Sequence, residues 1–493
     1  MLALRSALLL ALAILFVFSG VAGAPFHYDD KALFEDPAVT RGDGWWLCLR
    51  AEQTRPLTWL SFWADYQLWG RNPAPWHVEN LLLHIANALL FWATFQALLP
   101  ARAAWFAAFF FALHPVQTEA VAYVFARSTL LAAFFCLLAL RLWIAGRHWP
   151  AVGVYALALM AKEECAAFPV FLGLLHLSVE RPKEERAPIG AMLLLALVAV
   201  GRVAYVASVT KGSGAGPESG VAAADYFLTQ GVALWRYLQL VAVPVGFSFE
   251  PDLSVTTDWR AYLSWATLGA AAWLASKRFT RAREGFWFLA ALALFAPTSS
   301  IFPAMDLAAD RRAYLPMIAL SALAGLLLRR TDFPRLLVLA GIVLGMLAHA
   351  RVEVWRTEEA LWEDAMRMAP DKARPRIQLA RLRPPAEAAA LLEEAKKIAP
   401  EDAGVASELG RVRLELGEPG EALKEFGRAV ALRPGDAFAF NNRGIALEAL
   451  GIRDRALEDF RKALELDPCL GPARENLRKL GETPPKDKCH DDP

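Results

Sequence analysis

The chain has 493 residues, 56% of them hydrophobic, and a mean hydropathy of +0.31; that is too apolar for an ordinary soluble domain. Lys and Arg number 52 against 51 Asp and Glu, a net charge of +1, and no basic tract suits a nucleic-acid partner. The five cysteines, Cys48, Cys136, Cys165, Cys469 and Cys489, show no CxxC spacing, which argues against a metal or redox centre.

Apolar residues clump into long runs before about residue 350 and thin out after it. The chain therefore reads as all-α: a polytopic membrane helix bundle over 1–350, a capping helix and degenerate helical repeat over 351–401, and tetratricopeptide repeats over 402–483. In chain order, the uncharged run Ser6 to Ala24 is long enough to cross a bilayer. Arg5 precedes it, so the run exits on the non-cytoplasmic side. Ala22-Gly23-Ala24 also resembles a signal-peptide cleavage site, but the many runs that follow favour a retained helix. His27-Tyr28-Asp29-Asp30 come next. Two adjacent carboxylates beside lipid are costly, and one of them should hold its proton more tightly than usual. A carboxylate tuned in this way is suited to take a proton from a hydroxyl.

Residues 25–77 are polar and rich in Trp, which suits a segment in the headgroup region. Further apolar runs fall at 78–100, 102–113, 119–143, 149–161, 164–180, 188–209, 260–276, 285–299, 313–328 and 335–350. The segment 226–249 is interrupted by Gln230, Arg236 and Gln239, which predicts an amphipathic helix on the membrane surface. With about eleven spans, the basic clusters Arg141 to Arg147, Arg181 to Arg186, Lys277 to Arg283 and Arg329 to Arg335 all face the cytoplasm, as the positive-inside rule expects. Everything after about residue 350 then lies outside, where a Cys469–Cys489 disulfide is compatible with the compartment.

This topology puts Asp29, Asp30, Arg55, His114, Glu119, Lys162, Glu163, Arg311 and Tyr314 on one outer face, each beside a membrane boundary. Every one has a plain reading as well. His114-Pro115 to Glu119 makes a capped proline turn or contacts substrate. Lys162-Glu163-Glu164 is an interfacial turn, or Lys162 binds a phosphate. Arg311 and Tyr314 anchor a boundary, or Arg311 meets a lipid phosphate. No GxGxxG, P-loop, HExxH or Ser-His-Asp pattern appears.

Past residue 400, five positions recur 34 residues apart: Gly410/Gly444, Ala422/Ala456, Phe426/Phe460, Ala429/Ala463 and Pro434/Pro468. That is the tetratricopeptide period.

Taken together, Tyr28-Asp29-Asp30, Arg55-Pro56-Leu57, His77 to Asn87, His114-Pro115 to Val121, Lys162-Glu163 and Arg311 to Pro316, followed by the repeats, resemble the transmembrane-and-TPR O-mannosyltransferases and their bacterial relatives. These are polyprenol-dependent glycosyltransferases of the GT-C superfamily. The resemblance implies a polyprenyl-phosphate-linked sugar donor and chemistry on the non-cytoplasmic face. It also implies a multi-pass protein of the bacterial inner membrane, with its N-terminus cytoplasmic and its repeats binding a protein acceptor or partner. Asp29 or Asp30 matches the acidic base of the family's first outer loop, and Arg311 and Tyr314 match its Arg-x-x-Tyr-Leu-Pro stretch. Glu119 and Lys162 match positions around the site. The repeats here are few, which weakens the case for acceptor capture by a long array. No metal motif is evident, although a carboxylate pair suits a divalent ion. Two rivals remain: a membrane-anchored repeat scaffold without catalysis, and a glycan polymerase or ligase of the same architecture.

Overall fold

The computed structural model describes residues 2–50, 53–178, 188–209, 220–279, 284–299, 301–304, 306–328 and 334–485. The basic cluster Arg181 to Arg186, the glycine-rich 211–216, Arg281, Arg283, Arg329, Arg330 and Cys489 lie outside the described residues. Among the described residues all regular structure is helical. The chain divides into two compact units, Met1–Leu361 and Trp362–Pro493.

In the first unit an apolar helix lies at each expected apolar run. Among the described residues four stretches are long and apolar enough to cross a membrane: Leu4–Gly23, Pro73–Phe95, Val124–Ile144 and Ile189–Val209. Ala101–Leu113, His148–Ala161, Glu284–Phe295 and Met317–Leu328 are apolar but shorter. Some helices start later than the runs predict. The helix expected from residue 119 begins at Arg127, after the short pieces Pro115–Gln117, Thr118–Ala122 and Val124–Ala126. The one expected from 164 begins at Phe168, after the 3-10 turn Glu163–Ala167. The one expected from 313 begins at Met317, and Pro115, the Lys162-Glu163-Glu164 charges and Pro316 fall in or beside these three breaks. Proline and clustered charge disfavour a continuous apolar helix, so the chain turns where the polar groups lie.

Small residues set the core spacing. Ala103, Ala104, Ala107 and Ala108 on Ala101–Leu113 are fully buried. A Cβ on Gly325 of Met317–Leu328 would meet the Ala103 carbonyl at 2.4 Å. Glycine and alanine permit this close helix approach. The N-terminal helix Leu2–Phe18 buries Leu10, Ile14 and Phe18, and the Val17 carbonyl is hydrogen-bonded to His349 Nδ1 at 3.0 Å.

The helix Ala223–Ala242 occupies the segment expected to lie on the membrane surface. Two of its three interrupting polar residues, Gln230 and Arg236, turn toward the protein, whereas Gln239 is exposed. Gln230 is buried and donates to the Leu307 carbonyl at 3.0 Å, and Arg236 pairs with Asp310 at 2.7 Å. Phe227 and Trp235 are on its exposed side. Gln230 and Arg236 thus find their partners in the 306–310 loop.

The second unit follows its repeat. Asp402 and Asp436 cap alternate helices, Ala403–Glu415 and Ala437–Ala449, through their side chains. Gly417 and Gly451 close the turns at φ +75° and +76°, the left-handed region where glycine carries no Cβ penalty. Gly410 and Gly444 face Phe426 and Phe460 so closely that a Cβ would lie 2.8 and 2.6 Å from the rings.

Candidate active site

Asp29 and Asp30 begin a 3-10 helix, Tyr28–Phe34. Tyr28, at φ +43°, is the one non-glycine residue with positive φ among the described residues. The strained turn sends the two carboxylates in different directions. Asp30 is fully buried. Its Oδ2 accepts the His27 N–H at 3.0 Å and its Oδ1 the Phe125 N–H at 2.8 Å. Burial pushes its pKa up to about 8, with the two backbone donors opposing. Asp30 therefore holds the loop together. Asp29 is half-buried, and its Oδ2 accepts the Tyr123 hydroxyl at 2.8 Å.

Tyr123 links this loop to the next. Its ring is buried, and burial, reinforced by the two aspartates, raises its hydroxyl well above the ordinary tyrosine value. The hydroxyl stays protonated and donates. Arg311 places its guanidinium 5.8 Å from the ring centroid, within cation–π range. Glu119 accepts the Arg311 backbone N–H at 3.0 Å and its Nη1, and Asp306 stands 3.6 Å from Nη2. The wall of this region comes from Trp355, which is fully buried. Its ring lies 5.9 Å from Tyr123 and 5.5 Å from His27, and its carbonyl is hydrogen-bonded to His27 Nε2 at 2.8 Å.

A second group of charges adjoins the first. Arg55 immediately precedes the helix Pro56–Trp69 and reaches Glu163 through Nε at 3.1 Å and Nη2 at 2.5 Å. Against the upward push of burial, Arg55 holds Glu163 down at about 2. Lys162 donates to Thr129 Oγ1 at 2.8 Å and pairs with Glu164 at 2.7 Å. Burial lowers Lys162 to about 8, and Glu164 works against that shift. Arg55 and Lys162 both lie within electrostatic reach of Arg311.

The structure thus gathers Asp29, Arg55, Glu119, Lys162, Glu163 and Arg311 from five separate segments. It sets two of the expected residues apart. His114 is fully buried. Its Nδ1 accepts the Val116 N–H at 3.2 Å and its Nε2 is hydrogen-bonded to the Val241 carbonyl at 3.2 Å, so it caps a turn. Tyr314 is buried among the helices, with its hydroxyl 2.8 Å from His84 Nδ1 and 3.1 Å from Asn87 Nδ2. It points away from the charged groups. Sequence reasoning missed Tyr123 and Trp355, because an aromatic beside an apolar run carries no signal of its own. Among the described residues, no group of three or more His, Cys, Asp and Glu is arranged to hold a metal ion.

Comparison with known proteins bears on both units. The tetratricopeptide repeat model matches residues 437–468. A protein O-mannosyl-transferase of Caenorhabditis elegans is 24% identical over 411 residues, covering 75% of this chain and 59% of that protein. Protein O-mannosyl-transferase TMTC4 of Mus musculus is 26% identical over 411 residues, covering 65% of this chain and 54% of the relative. The chain is similar to the protein O-mannosyl-transferases. It spans little more than half the length of these two relatives. A shorter match to TMTC4 of Homo sapiens reaches 41% identity over 99 residues, 17% of this chain and 13% of the relative. Among solved structures, YrrB, a TPR protein with an unusual peptide-binding site, aligns at 19% identity and a TM-score of 0.23, covering 45% of this chain and 92% of YrrB. So low a score says nothing of this chain's own architecture.

Proposed function

We propose that the chain is a membrane glycosyltransferase of the GT-C type with about eleven spans. It transfers a sugar from a polyprenyl-phosphate-linked donor to a Ser or Thr hydroxyl of a protein, or to a glycan hydroxyl, on the non-cytoplasmic face. Residues 1–350 form the transferase domain in this reading. The cap and degenerate repeat over 351–401 lead to the repeats over 402–483, which hold a protein acceptor or partner. One observation carries the reading. The half-buried carboxylate of Asp29 and the guanidinium of Arg311 meet on a single buried tyrosine, Tyr123, one at its hydroxyl and the other over its ring. A base and a cation held a fixed distance apart are what transfer from a phosphate leaving group requires. The similarity to protein O-mannosyl-transferases supports the same class of reaction.

In this mechanism Asp29 takes the proton of the acceptor hydroxyl. The acceptor oxygen bonds to the anomeric carbon, and the bond from that carbon to the phosphate oxygen breaks. The phosphate leaves with the electron pair beside the cationic groups. A single displacement inverts the anomeric centre. Asp29 rather than Asp30 is suited to act as the base, because both oxygens of Asp30 already accept backbone donors. The deciding experiment assays membranes containing the wild type, Asp29→Asn and Asp30→Asn with a polyprenyl-phosphate mannose donor and an acceptor peptide. Transfer lost with Asp29→Asn and retained in part with Asp30→Asn supports the assignment. Full transfer with Asp29→Asn would remove it.

A further inference from the structure

The cations of the candidate site divide into two kinds. Arg55 is paired with Glu163, Lys162 with Glu164, Arg311 with Glu119, and Arg236 with Asp310. Arg202 is different. It is the one charged residue of Ile189–Val209, a helix of mean hydropathy 2.2 whose apolar window is only 17% buried. Ile189, Leu193, Leu197, Val200 and Val203 of that helix are exposed, as on a surface covered by lipid chains. Arg202 donates through Nη2 to the Thr54 carbonyl and through Nε to the Leu159 carbonyl, the latter at 3.3 Å, and its guanidinium lies 5.1 Å from the Tyr205 ring centroid. Among the described residues it forms no ion pair. The charged groups within its electrostatic reach include Glu163, which Arg55 already engages, and Arg55 itself.

A guanidinium on a lipid-facing helix is costly unless it has an anion to hold. Two backbone carbonyls orient this one without neutralising it. The residue after Thr54 is Arg55, so Arg202 joins the outward helix to the edge of the candidate site. We propose that Arg202 binds the phosphate headgroup of a lipid arriving from the bilayer, at the side of the site that faces the membrane. The ligand is a phosphate ester on an apolar chain, and a planar guanidinium with free donors is matched to its oxygens. This deepens the transferase reading and rests on it for what the lipid carries, whereas the binding itself stands without any transfer step.

The test measures retention of undecaprenyl phosphate by the full-length protein in nanodiscs, for the wild type, Arg202→Gln and Arg202→Leu. The Gln variant keeps an amide donor for the Thr54 or Leu159 carbonyl and removes the charge, and thermal melts of all three check folding. Both variants should lose affinity by about tenfold or more, the scale of a charge-assisted hydrogen-bonded contact. Inorganic phosphate should fail to displace the lipid. Displacement by phosphatidylglycerol, still dependent on Arg202, sustains the site and names bulk phospholipid as its occupant. Equal retention by the wild type and a folded Arg202→Gln overturns the proposal, and so does displacement by inorganic phosphate alone. Transfer assays run in parallel separate the two readings. Arg202-dependent binding without any wild-type transfer leaves the site standing and removes the transferase. Wild-type transfer with lipid binding unchanged in both Arg202 variants does the reverse.

Discussion

The two units use charge in opposite ways. In the repeats, ion pairs join residues close in sequence: Arg411 with Glu408 three apart, Arg413 with Glu393 twenty apart, Arg381 with Glu408 twenty-seven apart. Most have one well-exposed partner. In the membrane unit, Arg55 meets Glu163 across 108 residues and Arg311 meets Glu119 across 192. These pairs are largely withdrawn from water. A local pair dresses a helix surface and adds little. A distant buried pair costs desolvation, and removing one partner leaves the other charge uncompensated.

If this contrast is right, the largest effect belongs to Asp29. Its Asn variant should lose about 10²- to 10⁴-fold in transfer rate, the range for a general base, with its melting curve unchanged. Both readouts matter, because a collapsed melt would make Asp29 another structural charge. Glu119→Ala comes next. It leaves the Arg311 guanidinium without its main partner, and denaturant melts should register a loss of about 3–5 kcal/mol. A loss well below 1 kcal/mol would put this pair in the same class as those of the repeats.

Gly444→Ala probes the repeats through packing. The added methyl would crowd the Phe460 ring, and the repeat unit should lose about 1–3 kcal/mol. Asp30→Ala removes the two carboxylate oxygens that accept the His27 and Phe125 N–H groups and should lower stability by about 0.5–2 kcal/mol. This effect depends on pH. Burial raises Asp30 from 3.8 to about 8 in the folded chain, so its contribution is greatest below about pH 4 and fades as the pH climbs to about 8. The gap between wild type and variant should therefore narrow between about pH 4 and about pH 8. Smallest of all is Lys462→Ala. Its exposed pair with Glu465 should contribute between nothing and about 1 kcal/mol.

The same contrast explains what the sequence could tell. The repeats are legible because everything that builds them recurs at one period. Gly410 and Gly444 sit under Phe426 and Phe460, and the glycine turns at 417 and 451 keep the spacing. In the membrane unit, hydropathy locates the helices but not the breaks between them. The buried turns from Pro115 to Ala126 read as the start of a span, since Val121, Ala122 and Val124 are as apolar as the helix that follows. Asp29, Arg55, Lys162 and Arg311 stood out because charges are rare there. The sequence could not separate Asp29 from Asp30. Their difference lies in which backbone donors a left-handed Tyr28 brings within reach, and this is a property of the fold. His114 and Tyr314 resemble site residues for the same reason that Glu119 does, and only the direction of the side chain sorts them.

Trp355 bears on anyone who shortens the protein. The fading of apolar residues near position 350 invites a cut there, yet Trp355 lies past that point and still packs on His27 and Tyr123. Glu358, a turn further on, still grips Lys31 at 2.6 Å. A fragment ending at 350 would lose the wall that Trp355 forms against His27 and Tyr123, and any loss of transfer in it would be mistaken for a requirement for the repeats. A fragment ending at Leu361 keeps that wall and asks the intended question.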